Sequence, residues 1–544
     1  MRKGSTSTSP EESAAASVWW KSTWGLGLLG TLLLYASFPP WDLWPLAWIA
    51  PIPWLLLIEQ NQLSGRRPYR AIYLSGLIFW IAMLQWMTLP HWATSFGWLA
   101  LSAYLALYPL LFVGLGRLAV HRLGWSLVVA APLIWTGLEV IRGYLFGGFT
   151  IASLAHSQYR WTEWIQSADI VGAIGVGGLM VLVSACAVRI FSGTKRVTLW
   201  PAAVLIVALA ANIGYGVWQL DSDTLRRGPT VAIIQGSIDT AFGEHQASDM
   251  QVMQQYTDLT VDAFERAAKE KRSIDLLVWP ETMFRYRFAS FSQDYVESEA
   301  SPITRGQAAA HRAATSQYVE RFGIPALLGL SREHYTPDRN QRFNTALFVD
   351  ADGKLIGYYD KMHLVMFGEY FPLFDLYPSL YMLTPLGEGL SSGAGPIAPS
   401  IGGVRYAPSI CYETVIPRLI RRQVQTLRAE GNEPDVLVNV TNDGWFWGSS
   451  ALDLHLVCTI FRAVENRKPI IVAANTGLSA SIDSSGRLLQ VGPRRETAVL
   501  LADVQLDSRQ SFWTVFGGWI ELGFALVCVG LAGVGIVDWR RSKT

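Results

Sequence analysis

Apolar positions crowd two parts of the chain, with a long stretch of mixed polarity between them. From residue 22 to 220, nearly uncharged runs approach 20 residues, the length that crosses a hydrocarbon core of roughly 30 Å. Eight spans are expected. Seven lie at about 22–38, 43–58, 70–89, 94–116, 125–141, 165–188 and 197–219, and the last at about 513–539. The second is short and carries Pro51 and Pro53.

Between the seventh and eighth runs the pattern shortens. Apolar strands recur as TVAIIQG (230–236), LLVWPE (276–281), ALLGLS (326–331), NTALFVD (344–350), GVRYAPSIC (403–411), DVLVNVTN (435–442) and PIIVAANTG (469–477). Helix-like stretches at 251–271 and 416–429 separate several of them, which predicts a packed α/β domain with covered sheets. Asp352-Gly353 supplies the turn of a hairpin. The expected layout is a tail (1–21), a seven-helix membrane domain (22–220), an α/β domain (221–512), an eighth membrane helix (513–539) and a tail (540–544).

Composition supports this reading. Hydrophobic residues make up 51% of the chain and charged residues 16%, with 23 tryptophans, a balance that suits a polytopic membrane protein. A net charge of +1 gives nucleic acid no electrostatic footprint, so no nucleic-acid partner is expected. The start, MRKGSTSTSPEESAAAS, is too long and too acidic for a signal peptide, so the first span is expected to be retained. The loop cations set an orientation. Arg2, Lys3, Lys21, Arg66, Arg67, Arg70, Arg117, Arg122, Arg189, Lys195, Arg196, Arg540, Arg541 and Lys543 share one side if there are eight spans. The short opposite loops carry only Arg142 and Arg160. The positive-inside rule then places both termini in the cytoplasm and 221–512 outside it. Glu139 and Arg142, three apart near the end of the fifth span, are spaced to pair on one helix face.

Candidate chemistry centres on Cys411. Cys186 and Cys528 fall in expected spans, which leaves Cys411 and Cys458 in the α/β region, where a disulfide between them is possible. No Cys/His pattern suits zinc. A free cysteine is commonly a small buried apolar residue. Cys411, however, ends a strand ahead of a sharp turn into a helix, where amide N–H groups converge as an oxyanion site requires. A thiol of pKa near 8.5 also needs a base or a cationic neighbour. His245, His311, His334, His363 and His455 are scattered, with solvated or structural roles expected. Better candidates are Glu281, presented after the strand-stopping Pro280, and Lys361 after the hairpin. Taken alone, Glu281 also reads as a helix-start acid and Lys361 as a solvated turn.

Together, WPET (279–282), DKMHLVMFGEYFP (360–372) and SICYE (409–413) resemble the nitrilase superfamily, with Glu, Lys and Cys on successive strand ends. With the membrane spans, and with RFNTALF (342–348), VNVTNDGWF (438–446), RAVENRKP (462–469) and AANTGLSASID (473–483), the whole chain resembles the superfamily's membrane-integrated branch. That branch is the apolipoprotein N-acyltransferase family of bacteria, which adds the third acyl chain to lipoproteins.

The resemblance implies an αββα sandwich outside the membrane. It implies Glu281 as general base, Lys361 and the Tyr412 amide as oxyanion donors, and Cys411 as the residue that forms a thioester. Glu369 matches a carboxylate that orients the triad, Tyr412 and Glu413 match site positions, and Asn344 is a supporting candidate. Trp445 and Phe446 lie on a loop suited either to lipid contact or to packing. No metal and no cofactor is implied. The implied partners are a phospholipid acyl donor, by resemblance phosphatidylethanolamine, diacylglyceryl apolipoproteins, and the bilayer of the bacterial inner membrane, with the catalytic domain on the periplasmic side. Met366, Val472, SIDTAFGEH (237–245) and GFTI (148–151) depart from the family pattern and bear on chain preference and acceptor binding. The runner-up is a membrane-tethered nitrilase-type amidase that uses water, for which one anchor would suffice. A transporter with a degenerate ligand domain would show a broken triad and several charges in its spans, and the spans read as almost charge-free.

Overall fold

The computed structural model describes residues 21–192, 199–221, 224–240, 247–292, 294–295, 300–337, 340–372, 377, 379 and 389–541. Residues 1–20, Lys195, Arg196, Lys543 and the 241–245 part of the departing segment lie outside the described residues.

All eight apolar segments are helical, but not equally long. Five helices have the length and apolarity to cross a membrane: Thr94–Arg122, Leu127–Gly147, Ala168–Phe191, Leu199–Leu220 and Phe512–Arg541. The other three are shorter. Thr23–Ala36 has 14 residues and Pro68–Met83 has 16. The second segment is split into a 3-10 turn, Trp44–Trp48, and an eight-residue helix, Ile52–Glu59. Pro51 and Pro53 cause the break, because proline suits a first helical turn and cannot continue a preceding one.

The α/β region forms two sheets. The first contains β1 (Leu225–Gln235), β2 (Leu276–Val278), β3 (Phe288–Phe291), β4 (Ala326–Tyr335), β5 (Asn340–Val349), β6 (Leu355–Asp360) and β13 (Ala498–Asp507), in the order β13-β1-β2-β4-β5-β6 with β3 beside β4. The second runs β12-β11-β10-β9-β8-β7, from β7 (Ser400–Ile401), β8 (Val404–Ile410), β9 (Val436–Thr441), β10 (Ile470–Ala474), β11 (Ala480–Ile482) and β12 (Leu488–Val491). Asp352-Gly353 turns β5 into antiparallel β6.

Alternation along β1 explains the layering. Val231 and Ile233 join Val438, Val440 and Ile471 in the core between the sheets. Ala232 and Ile234 face Val252, Tyr256 and Ala263 of the helix Asp249–Glu270. Both faces are covered, so the strand reads as a continuous apolar run, and each fully buried Ile or Val contributes roughly 1.5–3 kcal/mol. On the far side, helices Pro417–Ala429 and Ala451–Asn466 cover the second sheet, giving an αββα sandwich. Their core runs on into the membrane bundle, where Ile416, Ile420 and Leu454 share one cluster with Leu138, Leu154 and Ile165.

The spans are less free of charge than their sequence suggests. Glu139, Asp169 and Glu521 are buried in membrane helices, and Asp169 and Glu521 pair with Arg467 and Arg421 of the sandwich. Asp169 and Glu521 lie where a helix meets the α/β domain, so a sandwich arginine supplies the counter-charge of each. Arg142 pairs with Glu139 at 2.9 Å on the same helix face.

Candidate active site

β8 ends at Ile410, and Cys411 follows with φ of 52°. That left-handed conformation costs a non-glycine residue about 1–2 kcal/mol, so neighbouring contacts must hold it. A 3-10 turn, Cys411–Val415, leads into the helix from Pro417. Glu413, wholly buried, accepts hydrogen bonds from the N–H groups of Ile410 (2.7 Å), Met362 (2.8 Å) and His363 (2.9 Å) and from the Tyr359 hydroxyl (2.8 Å). One carboxylate thus ties the cysteine turn to the segment following Lys361. Burial pushes the Glu413 carboxyl up, and these donors oppose the shift.

Lys361 follows β6, and its N–H donates to the Asn344 carbonyl at 2.9 Å. Its side chain is buried, with Nζ 2.7 Å from Glu369 Oε1 and 3.8 Å from Glu281 Oε1. Burial favours the neutral amine, but the charges of Glu369 and Glu281 reverse that preference, so Lys361 stays cationic. Glu369 is held in turn by the Val365 N–H at 2.8 Å. Glu281 is buried after β2 and accepts from Asn344 Nδ2 at 2.5 Å and from the Asn442 N–H at 2.8 Å. Gly329 on β4 makes room for that turn, since a Cβ there would come within 2.6 Å of Glu281 Cα. Burial raises the Glu281 pKa, and Lys361 works against it.

Cys411 is half-buried, and its thiol pKa stands well above the usual value, through burial first and the Glu281 charge second. The resting thiol is therefore protonated and needs a base to attack. The structure brings Glu281, Lys361, Cys411, Glu369, Asn344 and Glu413 into one cluster where the two sheets face each other.

Tyr412 points to the membrane domain. Its hydroxyl donates to the Gly148 carbonyl at 3.0 Å, and its ring stacks on His363 with centroids 6.3 Å apart. Thr150 Oγ1 donates to the Val415 carbonyl. The departing GFTI segment therefore touches the turn that carries the cysteine. Phe446 packs edge-on against Trp86 at 5.0 Å, while Trp445 beside it is half-buried, so this loop meets the end of the bundle. Val472 is buried in β10, and Met366 lies on the half-buried segment between Lys361 and Glu369.

The possible disulfide is absent, and one histidine lies closer to Cys411 than its place in the chain suggests. Cys411 and Cys458 are both free, and no disulfide joins them. Cys458 is buried in the helix Ala451–Asn466, with its sulfur 3.8 Å from His156 Nδ1. His455 is not a remote residue. Its Nε2 lies 3.0 Å from the Cys411 carbonyl oxygen, and its Nδ1 lies 3.1 Å from Asp443 Oδ1. Burial opposes its cationic form, but Asp443 and the Cys411 carbonyl raise its pKa overall. Sequence spacing hid it, because its partners come from separate elements.

Residues 30–186 match the family model described as the apolipoprotein N-acyltransferase N-terminal domain, and residues 230–512 match the carbon-nitrogen hydrolase model. The apolipoprotein N-acyltransferase of Geobacter metallireducens is 34% identical over 95% of this chain and 95% of its own. That of Rhodopirellula baltica is 30% identical over 94% of this chain and 97% of its own. Among solved structures, an amidase from Nesterenkonia sp. aligns at 19% identity with a TM-score of 0.36, over 55% of this chain and 100% of its own.

Proposed function

The chain belongs to the apolipoprotein N-acyltransferase family, and from that premise we propose that Glu281, Lys361 and Cys411 carry its acyl transfer. The observation that supports this most directly is Cys411 on a strained turn, clustered with buried Glu281 and with buried Lys361, whose Nζ lies 3.8 Å from Glu281 and 2.7 Å from Glu369.

In the first half-reaction the donor is a phospholipid, in our reading phosphatidylethanolamine. Glu281 takes the thiol proton as sulfur attacks the ester carbonyl carbon. The carbon–sulfur bond forms, and Lys361 with the Tyr412 N–H stabilises the oxyanion. The carbon–oxygen bond to glycerol then breaks, Glu281 returns the proton to that oxygen, and a lysophospholipid leaves. In the second half-reaction the α-amine of an S-diacylglyceryl cysteine attacks the thioester. A carbon–nitrogen bond forms, the carbon–sulfur bond breaks, and Glu281 moves the amine proton to the departing thiolate. Glu369 and Asn344 orient the ammonium and the base. Both substrates are amphiphiles, which agrees with a cysteine turn docked on membrane helices through Tyr412 and Thr150.

The loop cations favour cytoplasmic termini and a periplasmic sandwich in the bacterial inner membrane. The decisive test incubates detergent-solubilised protein with labelled phosphatidylethanolamine and measures a hydroxylamine-labile acyl adduct. The intact enzyme is expected to form it and Cys411→Ala to lose it. An adduct that persists in Cys411→Ala would remove Cys411 from its role.

A further inference from the structure

The carbonyl of Cys411 is unusually well held. His455 Nε2 lies 3.0 Å from it, Asn439 Nδ2 donates to it at 3.3 Å, and Thr414 Oγ1 donates at 3.4 Å. His455 is fixed in turn by Asp443, with Nδ1 at 3.1 Å from Oδ1, and Nε2 also lies 3.2 Å from Thr414 Oγ1. Both ring nitrogens therefore face acceptors, the arrangement that an imidazole donating from both sides would satisfy. The proposed reaction through the triad gives none of these groups a part.

The peptide between Cys411 and Tyr412 is trans. In a planar trans peptide the carbonyl and the following N–H point in opposite directions. Anchoring the Cys411 oxygen on the His455 side therefore turns the Tyr412 N–H away from it. Backbone strain makes the anchor necessary, because φ of 52° is a conformation that a cysteine does not keep unaided. A donor on the carbonyl also polarises the peptide and strengthens the N–H as a donor.

We infer that His455, held by Asp443, is a positioning residue that aims the Tyr412 N–H at the oxyanion formed on Cys411. The inference rests on Cys411 being the acylated nucleophile. His455 acts through the Cys411–Tyr412 peptide, whose carbonyl oxygen lies 3.0 Å from its Nε2.

The test compares His455→Gln, whose amide can still reach the carbonyl, with His455→Asn, whose shorter amide reaches only toward Asp443. Full-length enzymes in phospholipid nanodiscs are assayed for single-turnover acyl-adduct formation, for KM, and for alkylation of Cys411 by iodoacetamide. Alkylation builds no oxyanion and so reports the thiol and its turn alone. His455→Asn is expected to slow acylation by about 10–100-fold, below the 10²–10³ lost with a whole oxyanion donor. KM for the phospholipid should stay within about two-fold and alkylation should be unchanged, the pattern of a transition-state effect. His455→Gln should recover most of the rate. Should His455→Asn not fold, Thr414→Val, which removes another donor from the same carbonyl, carries the same expectation at smaller size. Acylation at the wild-type rate in His455→Asn would overturn the inference. So would equal losses in both histidine variants, or alkylation falling in step with acylation. Failure of the wild-type enzyme to form an adduct, or an adduct in Cys411→Ala, would instead overturn the nucleophile itself.

Discussion

Both outer layers of the sandwich are built from helices, yet they meet different surroundings. On the first sheet, the helix Asp249–Glu270 buries only Val252, Tyr256, Thr260, Ala263 and Ala267, a stripe at helical spacing, and turns its charges outward. On the second sheet, the helix Ala451–Asn466 buries every residue except Asp453 and His455, because membrane helices cover its outer face. The ion pairs follow suit. Arg266–Asp262 on the first layer is well exposed, whereas Arg421–Glu521 and Arg467–Asp169 are buried between sandwich and bundle. The candidate site straddles this difference. Glu281 and Lys361 come from the sheet under the open layer, and Cys411 from the sheet docked on the membrane helices. One outer layer of the sandwich is therefore open and the other is docked on the bundle.

The largest expected effect breaks the chemistry that joins the two halves. Glu281→Gln is nearly isosteric but removes the base and puts an amide donor in place of one of the two accepting oxygens, and the acylation rate should fall by about 10²–10⁴-fold. Its pH dependence carries a sign. Burial raises the Glu281 pKa above its ordinary 4.5, and the base works only when ionised. The wild-type kcat/KM should therefore rise with pH along an acid limb placed above pH 4.5. A limb at the ordinary carboxylate value, or one that survives in Glu281→Gln, would assign the base to another group.

How far this site could be read beforehand depended on where its contacts lie. Cys411, Glu281 and Lys361 stood out because each ends a strand beside a local breaker, so sequence alone displays their placement. Eight apolar segments were legible by length, but proline interruption at Pro51 and Pro53 turned one of them into two short pieces. Glu413 showed as a site position beside the cysteine, but not as the anchor of its turn. Its donors come from β6, β8 and the segment after Lys361, and no local pattern assembles those. His455 was hidden for the same reason. The run ALDLHLVCTIFRAV, with apolar residues on more than one helix face, did hold a signal that this helix is covered beyond a single stripe. The docking of both helices of that layer, Pro417–Ala429 and Ala451–Asn466, on the bundle also accounts for Glu521 and Asp169, acids whose partners Arg421 and Arg467 lie some 100 and 300 residues away in sequence.

Charge removal on the two layers sharpens the contrast, and the covered layer should suffer more. Arg421 lies 2.5 Å from Glu521 and stacks over Trp513, with both charged groups buried. Arg421→Met keeps the bulk and leaves Glu521 with the Tyr144 hydroxyl at 2.7 Å as its remaining partner. Breaking a buried pair from one side costs about 3–5 kcal/mol, measurable as thermal destabilisation in nanodiscs. Arg421→Met with Glu521→Leu removes both charges and should recover most of that loss, because two apolar residues can replace a buried pair at little cost. Failure to recover would mean that Arg421 acts through Trp513 packing instead.

The smallest effect belongs to the open layer. Asp262 and Arg266 sit one helical turn apart, 2.6 Å from contact to contact, with side chains 37% and 49% exposed. Water screens both, and an i,i+4 pair on such a surface contributes about 0.3–0.5 kcal/mol. Arg266→Ala should therefore shift the unfolding midpoint by no more than that, and less in high salt, with acylation unchanged. A loss approaching that of Arg421→Met would mean that the first layer, too, is covered in the membrane-bound enzyme, and the asymmetry between the layers would disappear.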